Sequence, residues 1–166
     1  MIHIKHKTTS KITTHACEFL QLSKNIRDQN ELATQAESDA FDLQESKDLK
    51  LAQIVPARDA FMYSDIEYNG SFFTNSLVSG NNLTSALAIM GTSINWLDTS
   101  GNSVSLTKAE AKELAGLMLD KRSLGYFKEA TLIKQINAID IDGSYVDADD
   151  QTITPLEALE LITIEF

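Results

Sequence analysis

The dipeptide Asn69-Gly70 constrains the fold of this chain more than any other feature of the sequence. Ile66 and Tyr68 precede it at even spacing with acidic residues before each of them, and Phe72 follows it. Asn-Gly supplies the two residues with positive φ that a type I′ turn requires. The sequence therefore predicts an antiparallel β-hairpin at this position.

A second hairpin and a long helix are predicted directly afterwards. Alternating apolar residues flank positions 98–102, whose residues have turn chemistry. Thr107 and Glu110 have the spacing of a capping box, in which the hydroxyl and the carboxylate each satisfy a free backbone N–H. A helix from about Lys108 to Ala138 should follow. We therefore expect an α+β fold in which two hairpins pack with this helix.

Shorter signals complete the second part of the chain. Residues 80–82 (Gly-Asn-Asn) predict a turn, and residues 83–90 predict a short, mostly buried helix. Thr154 and Glu157 repeat the capping-box spacing, and a proline stands at the first helical position, where its missing N–H costs nothing. A last helix is predicted from Pro155 to about Ile162.

The first 55 residues have a different character, because they contain no Gly and no Trp and the first proline is Pro56. Alternation predicts a short strand at Ile2–Ile4. Thr13-Thr14 can cap a helix from about His15 to Arg27. A second helix is predicted from Asn30 to about Gln53, before Pro56 breaks the pattern.

We therefore divide the chain into an N-terminal helical arm, 1–55, and a compact α+β domain, 56–166. The apolar stripe of the second predicted helix is narrow and rich in alanine, so it buries little area at about 25 cal/mol per Å². We expect this helix to pack on a partner helix or on another subunit. The residues predicted to bind a partner are Ile2, Ile4, Leu32, Ala36, Asp39 and Leu43.

The charge balance argues against several partners. The formal net charge is −10, whereas surfaces that bind nucleic acid or anionic membranes carry clustered Lys and Arg. A single cysteine, Cys17, excludes an intrachain disulfide framework. The first residues lack the apolar run of a signal peptide, and no stretch approaches the length of a membrane span. We expect synthesis in a cytoplasm.

Several groups of residues are candidates for chemical sites. The aspartates between 140 and 150 surround Gly143, but alignment with an EF-hand loop puts Ala138 at the first ligand position. An acidic-edged hairpin is the favoured interpretation. The histidines His3, His6 and His15 are predicted to be exposed, and Cys17 lacks a facing base. The aromatic residues between 61 and 96 are predicted to pack in the core rather than to bind a ligand. No catalytic residue, metal site or cofactor is predicted.

Between Arg58 and Ala138 several features follow one another in a recognisable order. They are Arg58 ahead of a strand, Asn69-Gly70 with Phe72, a short helix through Ala86 and Ile89, Ile94-Asn95-Trp96, Asp98-Thr99-Ser100-Gly101, Val104-Ser105-Leu106-Thr107 and a long helix ending Ile136-Asn137-Ala138. This order, over about half of the chain, resembles a small domain of unknown function that is common in bacteriophage tail and tail-fibre-associated proteins.

The resemblance implies a virion structural protein rather than an enzyme. Its partners would be other virion proteins or copies of itself, and it would reside in the virion after synthesis in the host cytoplasm. The alternative is an acidic inhibitor of a host nucleic-acid-processing protein, because carboxylates follow one another along the second predicted helix. These are Glu31, Glu37, Asp39, Asp42, Glu45 and Asp48.

Overall fold

The computed structural model describes residues 2–6, 12–15 and 30–166, and among them the side chains of His3, Lys5 and residues 32–166. The elements are β1 (Ile2–His6), β2 (Ile12–His15), β3 (Asn30–Leu32), α1 (Gln35–Met62), β4 (Ile66–Tyr68), β5 (Ser71–Phe73), α2 (Leu77–Ile89), β6 (Ser93–Leu97), β7 (Ser103–Thr107), α3 (Lys108–Ala138), β8 (Tyr145–Val146), β9 (Thr152–Ile153) and α4 (Pro155–Glu160). Helices combined with small antiparallel sheets confirm the α+β fold class.

The N-terminal segment forms a three-stranded antiparallel sheet in which β1 lies between β2 and β3. The predicted strand at Ile2–Ile4 is confirmed. The predicted helix start at Thr13-Thr14 and His15 is wrong, because these residues form β2 and pair with β1. β-Branched side chains favour this pleated pairing. The rest of that predicted helix, residues 16–27, lies outside the described residues.

Helix α1 begins at Gln35 rather than at Asn30, since Asn30–Leu32 pairs with β1 instead. A capping box starts it. The Thr34 N–H donates to Glu37 Oε2 at 3.0 Å, and the Glu37 N–H donates to Thr34 Oγ1 at 3.3 Å. The sequence carries this signal in Thr34-Gln35-Ala36-Glu37, although the predicted helix start lies four residues before the cap.

Pro56 does not end α1, contrary to the prediction. A proline in a helix interior loses one backbone hydrogen bond and costs about 3 kcal/mol. Ala52, whose carbonyl loses that bond, is exposed together with Pro56, so water can reach the carbonyl. Ile54 is buried, and Arg58 donates to both carboxylate oxygens of Glu129. These tertiary contacts hold the helix on both sides of the proline.

Both predicted hairpins are confirmed. In the first, β4 pairs with β5, and Asn69 and Gly70 have φ values of 50° and 78°, as a type I′ turn requires. In the second, β6 pairs with β7 along its whole length. The Thr99 N–H donates to the Phe72 carbonyl at 2.8 Å and so joins the second hairpin to β5.

Helix α2 includes Gly80–Asn82, which were predicted as a turn. Ser76 caps this helix by accepting from the Ser79 N–H at 3.0 Å. Gly80 is buried, and a Cβ there would lie 2.6 Å from Nη2 of Arg122. The glycine therefore permits a close approach of α2 to an arginine of α3, rather than a turn.

Helices α3 and α4 begin at the predicted capping boxes. The Thr107 N–H donates to Glu110 Oε2 at 2.8 Å, and the Thr154 N–H donates to Glu157 Oε2 at 2.7 Å. Helix α4 ends at Glu160, slightly before the predicted end at Ile162. In the part of the chain that the structure describes, no helix has both the length and the apolar character to cross a membrane.

The chain separates into two compact units, and the boundaries between them fall within α1 and α3. Unit 1 comprises residues 1–50 and 136–162, and unit 2 comprises 51–135 and 163–166. Each unit therefore combines two segments that are distant in sequence, whereas the predicted division into 1–55 and 56–166 has two continuous segments. The core of unit 2 consists of Ile66, Phe73, Leu83, Leu106, Ala111, Leu114, Ala115 and Met118.

Candidate partner-binding groove

The N-terminal half of α1 forms one side of a groove in unit 1. Its first turn is tied to β1, because Lys5 Nζ donates to Glu37 Oε1 at 2.5 Å. His3 lies next to the following turn, with its ring centroid 5.4 Å from that of Phe41 and Nε2 3.3 Å from Asp42 Oδ1. The prediction that His3 is exposed is wrong, since its side chain is 15% accessible.

The C-terminal segment forms the other side of the groove. Tyr145 positions its first loop by accepting from the Asp140 N–H at 2.6 Å. Lys47 donates to the Ile139 carbonyl. Lys50 donates to the carbonyls of Leu159 and Ile162, both at 2.5 Å. Two lysines of α1 therefore hold backbone carbonyls of residues 139–162, within unit 1. Part of the support that we expected from another chain is supplied by this C-terminal segment.

The groove has a volume of about 470 Å³. Apolar side chains and three carboxylates line it together: Ala36, Asp39, Asp42, Leu43, Ile141, Asp142, Thr154, Pro155 and Leu156. Leu43 is buried, whereas Ile141 and Leu156 remain more than one third accessible. An apolar floor beside carboxylates suits an apolar side chain that is flanked by Lys or Arg.

Hydrogen bonding and burial shift the pKa values of two residues that hold the walls of the groove in place, Glu37 and Lys50. The Lys5 ammonium and the Thr34 N–H hold the pKa of Glu37 below its ordinary value. Burial lowers the pKa of Lys50, which nevertheless donates to three carbonyls as an ammonium group.

Three of the six residues that we predicted to bind a partner meet in this groove, namely Ala36, Asp39 and Leu43. Leu32 is 54% accessible and is not among the lining residues. Ile2 and Ile4 belong to the central strand β1, and their side chains lie outside the described part of the structure. The sequence pattern contained no indication of the opposite wall, residues 141–156.

The aspartates between 140 and 150 serve as turn residues. Asp147 Oδ1 accepts from the N–H groups of Asp149 and Gln151, both at 2.9 Å, between β8 and β9. The turn of the acidic hairpin is thus at 147–151, and a separate turn at 140–143 is closed by the Gly143 N–H, which donates to the Asp140 carbonyl at 3.1 Å. Within residues 2–6, 12–15 and 30–166, no three His, Cys, Asp or Glu side chains are placed to hold a metal ion. Cys17 and the side chains of His6 and His15 lie outside the described part.

The aromatic side chains between 61 and 96 pack in the core only in part. Phe73 is fully buried and Tyr68 and Trp96 pack against the same core, as predicted, whereas Phe72 is 51% accessible. Tyr68 donates from Oη to Glu113 Oε2 at 2.7 Å, and this bond raises the pKa of Tyr68 to about 12. Phe61 lies 6.2 Å from Phe166 between ring centroids.

A second surface, on α2 in unit 2, was not predicted from the sequence, and the prediction that residues 83–90 are mostly buried is wrong, since only Leu83 among them is buried. We call it the neutral face and define it as the exposed residues of α2: Leu77, Val78, Asn81, Asn82, Thr84, Ser85, Ala88 and Ile89. The signal that could have found it is the absence of charge. From Tyr68 to Leu97 the sequence has no Asp, Glu, Lys, Arg or His, although 23% of the chain is Asp, Glu, Lys or Arg.

The sequence matches the model of one known protein family. The family model described as a domain of unknown function, DUF4376, matches residues 45–155, and the chain belongs to this family. The matched range contains the neutral face and the residues 141–155 of the groove, while Ala36, Asp39 and Leu43 precede it. No curated protein and no solved structure matches the chain at a significant level.

Proposed function

We propose that this chain is a bacteriophage virion protein, tail- or tail-fibre-associated, that works through protein–protein contacts and not as an enzyme. The resemblance of residues 58–138 to domains of phage tail proteins supports the location. The groove of unit 1 carries the proposal of a contact function, because it brings Ala36, Asp39 and Leu43 together with the C-terminal segment.

The chemistry of the groove indicates the kind of virion partner. Asp39, Asp42 and Asp142 stand beside an apolar floor, and the chain as a whole is acidic. Its occupant is therefore a segment with an apolar side chain next to Lys or Arg, supplied by another virion protein. Such a contact combines apolar burial with charge complementarity, which sets orientation and association rate.

Mass spectrometry of gradient-purified particles tests the location. We expect the chain to remain with particles through purification at a constant ratio to other tail proteins. Particles made with Asp39→Lys and Asp142→Lys together should retain less of the chain, whereas Glu45→Lys, an exposed charge reversal on the same helix outside the groove, should not change retention. Complete loss of the unaltered chain during purification would contradict the proposal.

An acidic inhibitor of a host nucleic-acid-processing protein is the second candidate function. The carboxylates of the groove favour it, together with the exposed Glu45 and Asp48 on the same helix. An inhibitor would bind a basic host protein with steep salt dependence and would be absent from particles. Pull-down with defined basic host nucleases and polymerases at two salt concentrations, alongside the particle assay, separates the two functions.

A further inference from the structure

We infer that the neutral face of α2 is the contact through which two copies of this chain associate. The observation behind it is the accessibility of large apolar side chains on this helix. Val78 is 67% accessible and Ile89 is 89% accessible, while Leu83 on the opposite side is fully buried in the core. A surface helix ordinarily opposes its apolar side with charged residues, and α2 has none.

The exposed residues of α2 form one continuous strip. Val78, Asn82, Ser85 and Ile89 follow one another at spacings of four, three and four residues, so they share one side of the helix. Apolar residues stand at both ends of this strip and small polar side chains lie between them. Such a strip can pack against an antiparallel copy of itself, with Val78 of one copy near Ile89 of the other.

Charge identifies a second copy as the occupant. The formal net charge is −10, so a contact between two copies over most other parts of the surface would bring like charges together. Asp98 is the only charged residue between Glu67 and Lys108 in the sequence, and the neutral face contains none. At this face two acidic chains can meet without bringing like charges into direct contact and without desolvating a charge. A basic partner would instead be attracted to the carboxylates of unit 1.

The strands that precede and follow α2 in the chain also expose apolar side chains. Phe72 of β5 and Leu97 of β6 are 51% and 64% accessible, and both belong to the charge-free stretch of the sequence. Helix α2 is about 20 Å long at 1.5 Å per residue and roughly 10 Å wide, so one side of it offers about 200 Å², less than the roughly 800 Å² per partner of a standard interface. We therefore expect few dimers in dilute solution, and a larger paired fraction where an assembly raises the local concentration.

Light scattering and sedimentation equilibrium of the full chain over a concentration series test this inference. We expect reversible dimers of the unaltered chain. Val78→Glu with Ile89→Glu should raise the dimer dissociation constant roughly tenfold or more, because carboxylates are buried without a partner. Leu49→Glu, at a residue that is 62% accessible on α1, is the matched control and should leave the constant unchanged.

A mixing experiment keeps the test decisive if the double variant folds poorly. Ile89→Glu and Val78→Lys should each weaken self-association, and an equimolar mixture should form mixed dimers again, because the two introduced charges of opposite sign then face each other. A monomeric unaltered chain at every concentration, dimers that ignore the α2 substitutions, or an equal effect of Leu49→Glu would overturn the inference. The test uses pure protein, so its outcome does not depend on whether the chain is present in particles.

Discussion

Unit 1 depends more on polar interactions and unit 2 more on apolar burial. Their surfaces also differ, since the groove of unit 1 is charged and the neutral face of unit 2 is not. Unit 2 buries a continuous cluster around Phe73 and Leu114, and its helix α2 exposes a surface without charge. Among the described residues, unit 1 buries fewer large apolar side chains and depends on lysines that hold backbone carbonyls. Its groove is bordered by carboxylates. One small chain thus carries two surfaces that suit partners of opposite kinds.

Because the two units are stabilised by different interactions, their stabilities should respond differently to pH and salt. Apolar burial scales with area and is insensitive to pH and moderate salt, whereas hydrogen-bonded ammonium groups and helix caps respond to both. We therefore expect unit 1 to open locally before unit 2. Substitutions in each unit, and changes of salt and pH, can test that order and the contrast between the two surfaces.

The largest effect is expected in the core of unit 2. Phe73→Ala should lower the free energy of unfolding by about 3–5 kcal/mol, because it removes a fully buried ring. Phe72→Ala on the same strand is the matched control and should cost less than about 1 kcal/mol, since half of that ring is already accessible. Urea denaturation measures both. Equal losses would show that unit 2 lacks a continuous core around Phe73.

Removal of the ammonium group of Lys50 should have the next largest effect and should act on unit 1. Lys50→Met keeps the aliphatic chain but leaves three carbonyls, those of Leu159, Glu160 and Ile162, without this donor. We expect a loss of about 1–3 kcal/mol, seen as faster amide exchange in residues 139–162. The control Lys134→Met alters an exposed lysine of unit 2 and should leave this exchange unchanged.

These two units show how much of the fold could be predicted from sequence. The Asn69-Gly70 turn and the caps at Thr107 and Thr154 were predicted correctly, because each signal is contained within four residues. The helical state of Gly80 was not predicted, because the reason for a glycine there is the close approach of Arg122, which is distant in sequence. Pro56 was predicted to end its helix and does not, for the same reason: tertiary contacts outweigh its local cost.

The groove was predicted in part. Helical spacing placed Ala36, Asp39 and Leu43 near one another, but nothing local indicated that residues 141–156 would face them. The neutral face was not predicted, because motifs and charged clusters identify residues that carry chemistry and α2 has neither. A long absence of charge is also a signal, and its meaning depends on which side of α2 is exposed.

Salt should separate the two surfaces. Binding of a basic peptide in the groove should weaken by roughly tenfold or more between 0.05 and 0.5 M salt, because screening shortens the range of its charge interactions. Self-association through α2 should stay constant or strengthen, since salt screens only the repulsion between the acidic copies. Fluorescence anisotropy and sedimentation measure the two constants. A parallel decrease of both would remove the contrast.

Acid should produce the smallest effect and should act first on unit 1. The backbone N–H and hydroxyl groups of the capping threonines hold the pKa values of Glu110 and Glu157 below their ordinary value. The pKa of Glu37 is also lowered, and the Lys5 ammonium is the largest cause. A lowered folded pKa gives stability that is present above the unfolded pKa, about 4.3, and is lost as pH falls through the folded pKa. Glu37 and Glu157 belong to unit 1. Amide exchange at pH 7 and pH 3 should show unit 1 opening first, and Glu157→Gln should reduce the pH dependence at α4.

Zero-length cross-linking of purified particles, followed by mass spectrometry, tests the proposed contact function most directly. Carbodiimide joins carboxylates to lysines that contact them, so Asp39, Asp42 or Asp142 should be linked to a lysine of another virion protein. We expect these links in particles with the unaltered chain and their loss when Asp39→Lys and Asp142→Lys are combined. Particles that contain the chain but link it to other proteins only through carboxylates outside the groove would contradict the proposal.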